Sequence, residues 1–139
     1  MFLFESLLVA LSTYSAIPVP QFEWNDRNMK YAICFFPAVG IFCGTALWGW
    51  SALADSLGIG GFFFAMIATC LPLLITGGIH MDGYMDTVDA LASHQSRERK
   101  LEILKDPNCG AFAVIYCGVY LLAYAGLTHE LFTANCILV

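Results

Sequence analysis

The sequence predicts an all-α, polytopic transmembrane protein, and three observations carry that prediction. Only 12% of the 139 residues are charged while 59% are hydrophobic, with a mean hydropathy of +0.71. A soluble domain of this length needs far more charged surface. Three segments, Tyr31–Ala54, Ser56–Ile79 and Pro107–Thr128, contain no Asp, Glu, Lys, Arg or His. Each has 22 to 24 residues, enough for a helix to cross a hydrocarbon core about 30 Å thick. Finally, all six basic residues fall in two places: Arg27 and Lys30 before the first long segment, and Arg97, Arg99, Lys100 and Lys105 after the second. The positive-inside rule therefore puts residues 18–30 and 78–109 in the cytoplasm. Three alternating spans satisfy both placements.

The elements follow in order. Met1–Ile17 is apolar but holds Glu5, and no basic region precedes it, so a cleavable signal peptide is not expected. The apolar run Ser6–Ile17 is short for a span, and Pro18 and Pro20 stop it. A short first helix, interfacial or oblique, fits. Gln21–Lys30 reads as a polar cytoplasmic link with Trp24 at interface depth. The second helix runs from about Tyr31 to Ala54. Its Pro37, Gly40, Gly44 and Gly49 permit kinks and close approach, with Gly40 and Gly44 forming a small-xxx-small pair. The third helix, about Gly58–Thr76, carries Pro72 and ends at Gly77-Gly78.

The segment Ile79–Cys109 has two parts. A helix is expected to continue to Leu91 or Ser93. Ser96–Lys105 is charged, with Leu101 and Leu104 as its apolar side. Asp106-Pro107-Asn108-Cys109-Gly110 reads as a turn, after which a fourth helix runs to about Leu127. His94 and His129 are read as loop residues. Leu131–Val139 resembles the start of a further span cut short, since nine residues cannot cross a bilayer as a helix. The sequence is thus read as a single membrane domain, the N-terminal part of a longer one. Of the six cysteines, five (Cys34, Cys43, Cys70, Cys117 and Cys136) lie in apolar stretches and act as small hydrophobes. Cys109 lies in the cytoplasmic segment and is expected reduced. No Cys-x-x-Cys pair occurs, so neither a zinc site nor a disulfide framework is assigned.

Three aspartates, Asp82, Asp86 and Asp89, stand out in this charge-poor chain. On one helix, Asp86 falls about 40° and Asp89 about −20° from Asp82, so all three share a face. Like charges this close repel one another and are costly to desolvate near a membrane. A hard divalent cation such as Mg²⁺ would relieve both costs, and it retains waters that a phosphate can replace. Gly83 leaves space beside Asp82 for a bulky substrate or a neighbouring helix. The basic cluster and Lys105 would supply positive charge for phosphate oxygens. Together these parts describe a membrane enzyme acting on a diphosphate. A solvated acidic face balanced by the basic cluster explains the same spacing, and spacing alone leaves both open. The position of the face, within a few residues of a long span, favours the metal.

Other residues have ordinary readings beside functional ones. Asp106 is a candidate further ligand, or a turn or cap residue before Pro107. His80 falls about 160° from the aspartate face, which suits a capping or interface role better than catalysis. Arg97 and Lys100 approach the aspartates only if one helix runs unbroken from 82 to 100. Ser93-His94-Gln95-Ser96 argues against that, and Ser96 can cap a new helix with Arg99 at its third position. The basic residues also serve as topology determinants.

At these residues the chain resembles the adenosylcobinamide-GDP ribazoletransferase, or cobalamin (vitamin B12) synthase, family. Ala10-Leu11-Ser12-Thr13-Tyr14-Ser15-Ala16-Ile17-Pro18-Val19-Pro20 is similar to the family's opening, which ends in Pro-Val-Pro. Phe36-Pro37-Ala38-Val39-Gly40 resembles its Phe-Pro-x-x-Gly segment. Most specific is Thr76 to Asp89, similar to the signature Gly-Gly-x-His-x-Asp-Gly-x-x-Asp-x-x-Asp. Leu101 to Gly110 then matches the basic-Asp turn that follows. Two positions depart from the pattern: Ala90 stands where the family often has Gly, and Ser15 where it often has Arg. Family members are also considerably longer.

The resemblance implies a Mg²⁺-dependent transfer late in cobalamin assembly, in a multi-pass protein of the bacterial cytoplasmic (inner) membrane with its active segment facing the cytoplasm. The hydroxyl of α-ribazole, or of its 5′-phosphate, attacks the phosphoryl attached to cobinamide and expels GMP. It implies Asp82, Asp86 and Asp89 as catalytic residues and metal ligands, with Asp89 as an alternative orienter or base for the attacking hydroxyl. Lys105, Asp106 and Gly83 are its implied substrate-binding residues. The expected partners are the corrinoid nucleotide, α-ribazole and the lipid bilayer. No nucleic acid is expected, and an oligomer is compatible with the sequence. A CDP-alcohol phosphotransferase would carry Ala-Arg after Asp-Gly, where this chain has Tyr84-Met85-Asp86. A prenyltransferase is a further diphosphate reading. A cation-transporter subunit would place its carboxylates along a path through the membrane.

Overall fold

A computed structural model describes residues 2–20 and 30–134. The link residues up to Met29, with Trp24 and Arg27, and the segment after Ala134, with Cys136, lie outside the described residues. Everything regular within them is helical: α1 Phe2–Tyr14, a 3₁₀ turn Ile33–Phe35, α2 Phe36–Ser56, α3 Gly61–Thr76, α4 Ile79–Ala92, α5 Arg97–Ile103 and α6 Ala111–Thr133.

Helix α1 is short, as expected, and is tied at its end. The Ala16 N–H donates to the Ile75 carbonyl at 2.8 Å, joining the chain after α1 to the last turn of α3. Val9 and Ala10 pack against Ala32, with Tyr14 and Phe35 alongside. The 3₁₀ turn sits where Pro37 enters the first turn of α2, a position at which its missing N–H costs nothing. Lys30–Ser56 reads as one span of 27 residues, and α6 as a second of 23. Trp48 and Leu122 are 70% and 75% exposed. Such side chains suit contact with lipid, and this is a membrane protein.

The third span differs from expectation. Leu57–Gly60 forms a turn, with Gly58 at φ +63°, and the Ile59 N–H donates to the Ala54 carbonyl at 2.8 Å. Two further residues, Gly77 and Gly78, are spent on a second turn, which leaves α3 with 16 residues. At 1.5 Å per residue that is roughly 24 Å, short of a full crossing. Only together with α4 is α3 long enough, and the two are bent by 94° at their junction.

Where α3 meets α2 and α6 the packing is aromatic. Ala54, Phe64 and Ala68 form a buried cluster with Leu47, Trp50, Ile59 and Phe132 around it. Phe64 stacks on Phe132 with centroids 3.9 Å apart, and on Trp50 at 6.2 Å. The Trp50 Nε1–H donates to the Phe64 carbonyl at 3.1 Å, so its one polar group is satisfied.

Three sequence readings are corrected here. A Cβ added at Gly40 or Gly44 would meet nothing within 4 Å; the expected close-packing pair is not used among the described residues. The segment from Leu131 does not begin a new element: Leu131–Thr133 complete α6, because Phe132 has Phe64 to stack on. For the same reason His129 is helical, not in a loop.

Candidate functional site

The aspartate helix begins at two consecutive glycines in the left-handed region, Gly77 (φ 62°) and Gly78 (φ 77°). That region is nearly free for glycine and costs other residues about 1–2 kcal/mol. The Gly78 N–H closes back on the Leu73 carbonyl at 2.9 Å, a Schellman closure of α3. The Asp82 N–H then donates to the Gly78 carbonyl at 2.9 Å, and α4 starts in its new direction. Turn chemistry thus swings the carboxylates out of line with the span.

Helix α4 runs unbroken from Ile79 to Ala92, so Asp82, Asp86 and Asp89 share the expected face. Asp82 is exposed, whereas Asp86 and Asp89 are half-buried. Gly83 is exposed with nothing within 4 Å of a Cβ there, so the space beside Asp82 is open. Ala90 is the buried residue of this helix; its methyl fills space that a glycine would leave.

The helix stops where the polar run begins. His94 takes φ +51°, and the Ser96 Oγ accepts the Arg99 N–H at 3.4 Å as the cap of α5. Arg97 and Lys100 are therefore on a separate helix. Arg99 pairs with Glu102 at 2.5 Å, both side chains over 60% exposed, a geometry worth little. Lys105 is exposed in the turn after α5, its N–H bonded to the Glu102 carbonyl at 3.0 Å. Asp106 accepts from the Asn108 N–H at 2.9 Å and from the Asn108 side-chain amide at 2.7 Å. Those two bonds, with a smaller contribution from the Arg99 charge, hold its carboxyl below the usual carboxylate range. The structure brings Asp106 to a turn, its ordinary role.

Two features escaped the sequence. A Cβ added at Gly110 would overlap the Asp89 carboxylate, so this aspartate reaches across to the start of α6. Glycine in a turn has many causes, and nothing in the pattern singled this one out. On the other side of α4, His80, Met81 and Tyr84 line a cavity of about 280 Å³ with Thr69, Thr76 and Tyr120 among its other walls. The spacing of Tyr120 and Tyr124, one turn apart, was its one sequence signal. His80 also stacks with Tyr14 (centroids 6.5 Å) and meets Phe36 edge-on at 5.2 Å. These rings belong to α1 and α2, and His80 itself is exposed.

The donor chemistry fits a hard cation: carboxylates, one of them freely exposed. No three acidic, histidine or cysteine side chains among the described residues converge into a metal cage. That is compatible with Mg²⁺, which is ordinarily held by one or two carboxylates, its own waters and substrate phosphates. Asp82 and Asp86 lie one helical turn apart on α4, Asp82 exposed and Asp86 half-buried.

The model of the cobalamin-5-phosphate synthase (CobS) family matches residues 6–139. The chain belongs to this family. It is 48% identical over 135 residues to an adenosylcobinamide-GDP ribazoletransferase of Lachnoclostridium phytofermentans, covering 97% of this chain and 52% of that protein. Similarity extends to proteins of the same name from Clostridium perfringens (38% over 126 residues, 89% and 50%) and Brevibacillus brevis (37% over 131 residues, 91% and 51%). The chain spans about half the length of the curated relatives it matches. No solved structure matches it.

Proposed function

We propose that this chain carries the carboxylate-bearing part of a membrane-bound adenosylcobinamide-GDP ribazoletransferase. The observation that supports it most is the unbroken acidic face of α4, turned by 94° from a membrane helix in a chain of this family. The distribution of Lys and Arg supports a cytoplasmic position for that face, in the bacterial inner membrane. The substrates are adenosylcobinamide-GDP and α-ribazole or its 5′-phosphate.

In this reading a hydroxyl of the ribazole attacks the phosphorus attached to cobinamide. A new O–P bond forms, the bond to GMP breaks, and the hydroxyl proton leaves to a carboxylate or to water. Such transfers depend on positioning and on stabilising charge at phosphate oxygens. Mg²⁺, when bound, would supply that stabilisation, with Asp82 and Asp86 as the residues to hold it. Asp89 would orient or deprotonate the hydroxyl. Lys105 offers a charge to the phosphates, and Asp106 shapes the turn that presents it. Open space at Gly83 admits substrate beside Asp82.

The test is transfer from adenosylcobinamide-GDP to α-ribazole in Mg²⁺, comparing the full-length protein with its Asp86→Asn variant. The variant is expected to lose on the order of a hundredfold or more in kcat, as charge-stabilising groups do, with its fold intact. Full activity in the variant would remove the metal site from the mechanism.

A further inference from the structure

Of the twelve glycines, Gly110 is set apart by what fills the place of its side chain. A Cβ there would land on the carboxyl group of Asp89, on both oxygens and the carbon that joins them. At Gly40, Gly44, Gly83 and several others the same position is open. The backbone of Gly110 gives no reason for a glycine: φ −81° and ψ 164° are ordinary extended values that any residue adopts. The overlap is therefore spatial, and it is with the end of the Asp89 side chain, which must turn aside if a Cβ takes its place.

Gly110 is also the N-cap of α6, a helix of 23 residues with no side-chain hydrogen bond capping that end. The first turn of a helix presents unsatisfied N–H groups and the positive end of the macrodipole. A carboxylate laid against that turn is favoured electrostatically, and a bare Cα lets it come close. Asp82, in the first turn of α4 itself, is exposed, while Asp86 and Asp89 are half-buried.

We propose that Gly110 is a positioning residue: its missing side chain seats the Asp89 carboxylate on the first turn of α6 and fixes that carboxylate's orientation. The three aspartates then divide. Asp82 stays exposed, Asp86 is half-buried one turn further along the same face, and Asp89 joins α4 to α6. Resting on the ribazoletransferase reading, this makes Asp89 the aspartate with a fixed geometry, suited to orient an attacking hydroxyl, while the other two remain free to meet a cation or phosphate.

A double-mutant cycle on the full-length protein in lipid nanodiscs tests the contact without substrate. Gly110→Ala is expected to lower the thermal midpoint by about 2–4 °C, the cost of turning the Asp89 side chain aside. In an Asp89→Ala background the same change is expected to cost nothing, because the clashing group is gone. An equal loss in both backgrounds overturns the proposal. Should Gly110→Ala fail to fold, restoration of folding in the double variant supports it, and failure of the double variant also to fold overturns it. The catalytic part is read from kinetics: kcat of Gly110→Ala falls on the order of tenfold to a hundredfold, with KM for adenosylcobinamide-GDP within about twofold. A fall confined to KM overturns that part. Coupling without ribazole transfer in the wild type sinks the transferase reading and leaves the contact standing. Transfer without coupling does the reverse.

Discussion

The two ends of α3 are built on opposite principles. At its start, Phe64 is sandwiched between Trp50 and Phe132, and even the indole N–H is satisfied by a backbone carbonyl. At its finish, two left-handed glycines turn the chain, a cavity opens beneath α4, and three carboxylates emerge on the far side. One end is dense and apolar; the other is bent, open and acidic. The difference teaches that the aromatic end holds the helices while the glycine end aims them. A substitution at the first should cost stability, and one at the second should cost geometry.

The largest stability effect is expected at the packed end. Phe64 is 1% exposed, and Phe64→Ala removes both stacking partners at once. In a soluble core such a change costs about 3–5 kcal/mol. Lipid is as apolar as this core, so the transfer contribution shrinks and the lost packing remains, on the order of 2–3 kcal/mol. Unfolding in mixed micelles measures it. A cost below that of a lipid-facing control such as Leu122→Ala would mean that the aromatic stack does not hold the three helices.

Next comes the bend. Gly77→Ala forces a methyl into the left-handed region, at about 1–2 kcal/mol, and brings it to 3.3 Å from the Cβ of Ala16. Gly78→Ala bears the same backbone strain but meets nothing within 4 Å. Gly77→Ala is therefore expected to be the worse of the two in stability, and both should reduce ribazole transfer more than Phe64→Ala does at equal stability. If Gly78→Ala proved the more damaging, the contact between the end of α1 and the bend would not matter.

Much of this division was legible in the sequence, and the residues show why the rest was not. Asp82, Asp86 and Asp89 were placed on one face by spacing alone, and Ser96 was readable as the cap of a second helix. These are local properties, fixed within a few residues of chain. The 94° bend at Gly77-Gly78 was not readable, since a glycine pair permits a turn without setting its angle. The length of α3 failed for a related reason: hydropathy does not distinguish Leu57–Gly60 as turn from span. Gly40 and Gly44 looked like a packing pair, yet small residues only allow an approach that no helix makes among the described residues. His129 and Phe132 were lost to α6 because what extends that helix is Phe64, 68 residues earlier. The match between Asp89 and Gly110 is tertiary in the same sense.

The smallest effect belongs to the turn that leads into α6, and it depends on pH. Asp106 is bonded to the backbone and side chain of Asn108, and its folded carboxyl is held below the usual range. In an unfolded chain it titrates near the ordinary value of about 3.9. The folded form therefore binds its proton less readily, and the turn's contribution to stability is fully present above that ordinary value. It is lost as pH falls below that value and through the lower folded one. The carboxylate is fully exposed to solvent, so the effect is confined to the turn. An NMR pH titration of the Asn108 amide should show its shift midpoint below the usual aspartate range, and Asp106→Asn should abolish that titration. A midpoint at or above the ordinary value would mean that the turn is held by its backbone alone. Asp106 would then do nothing to present Lys105.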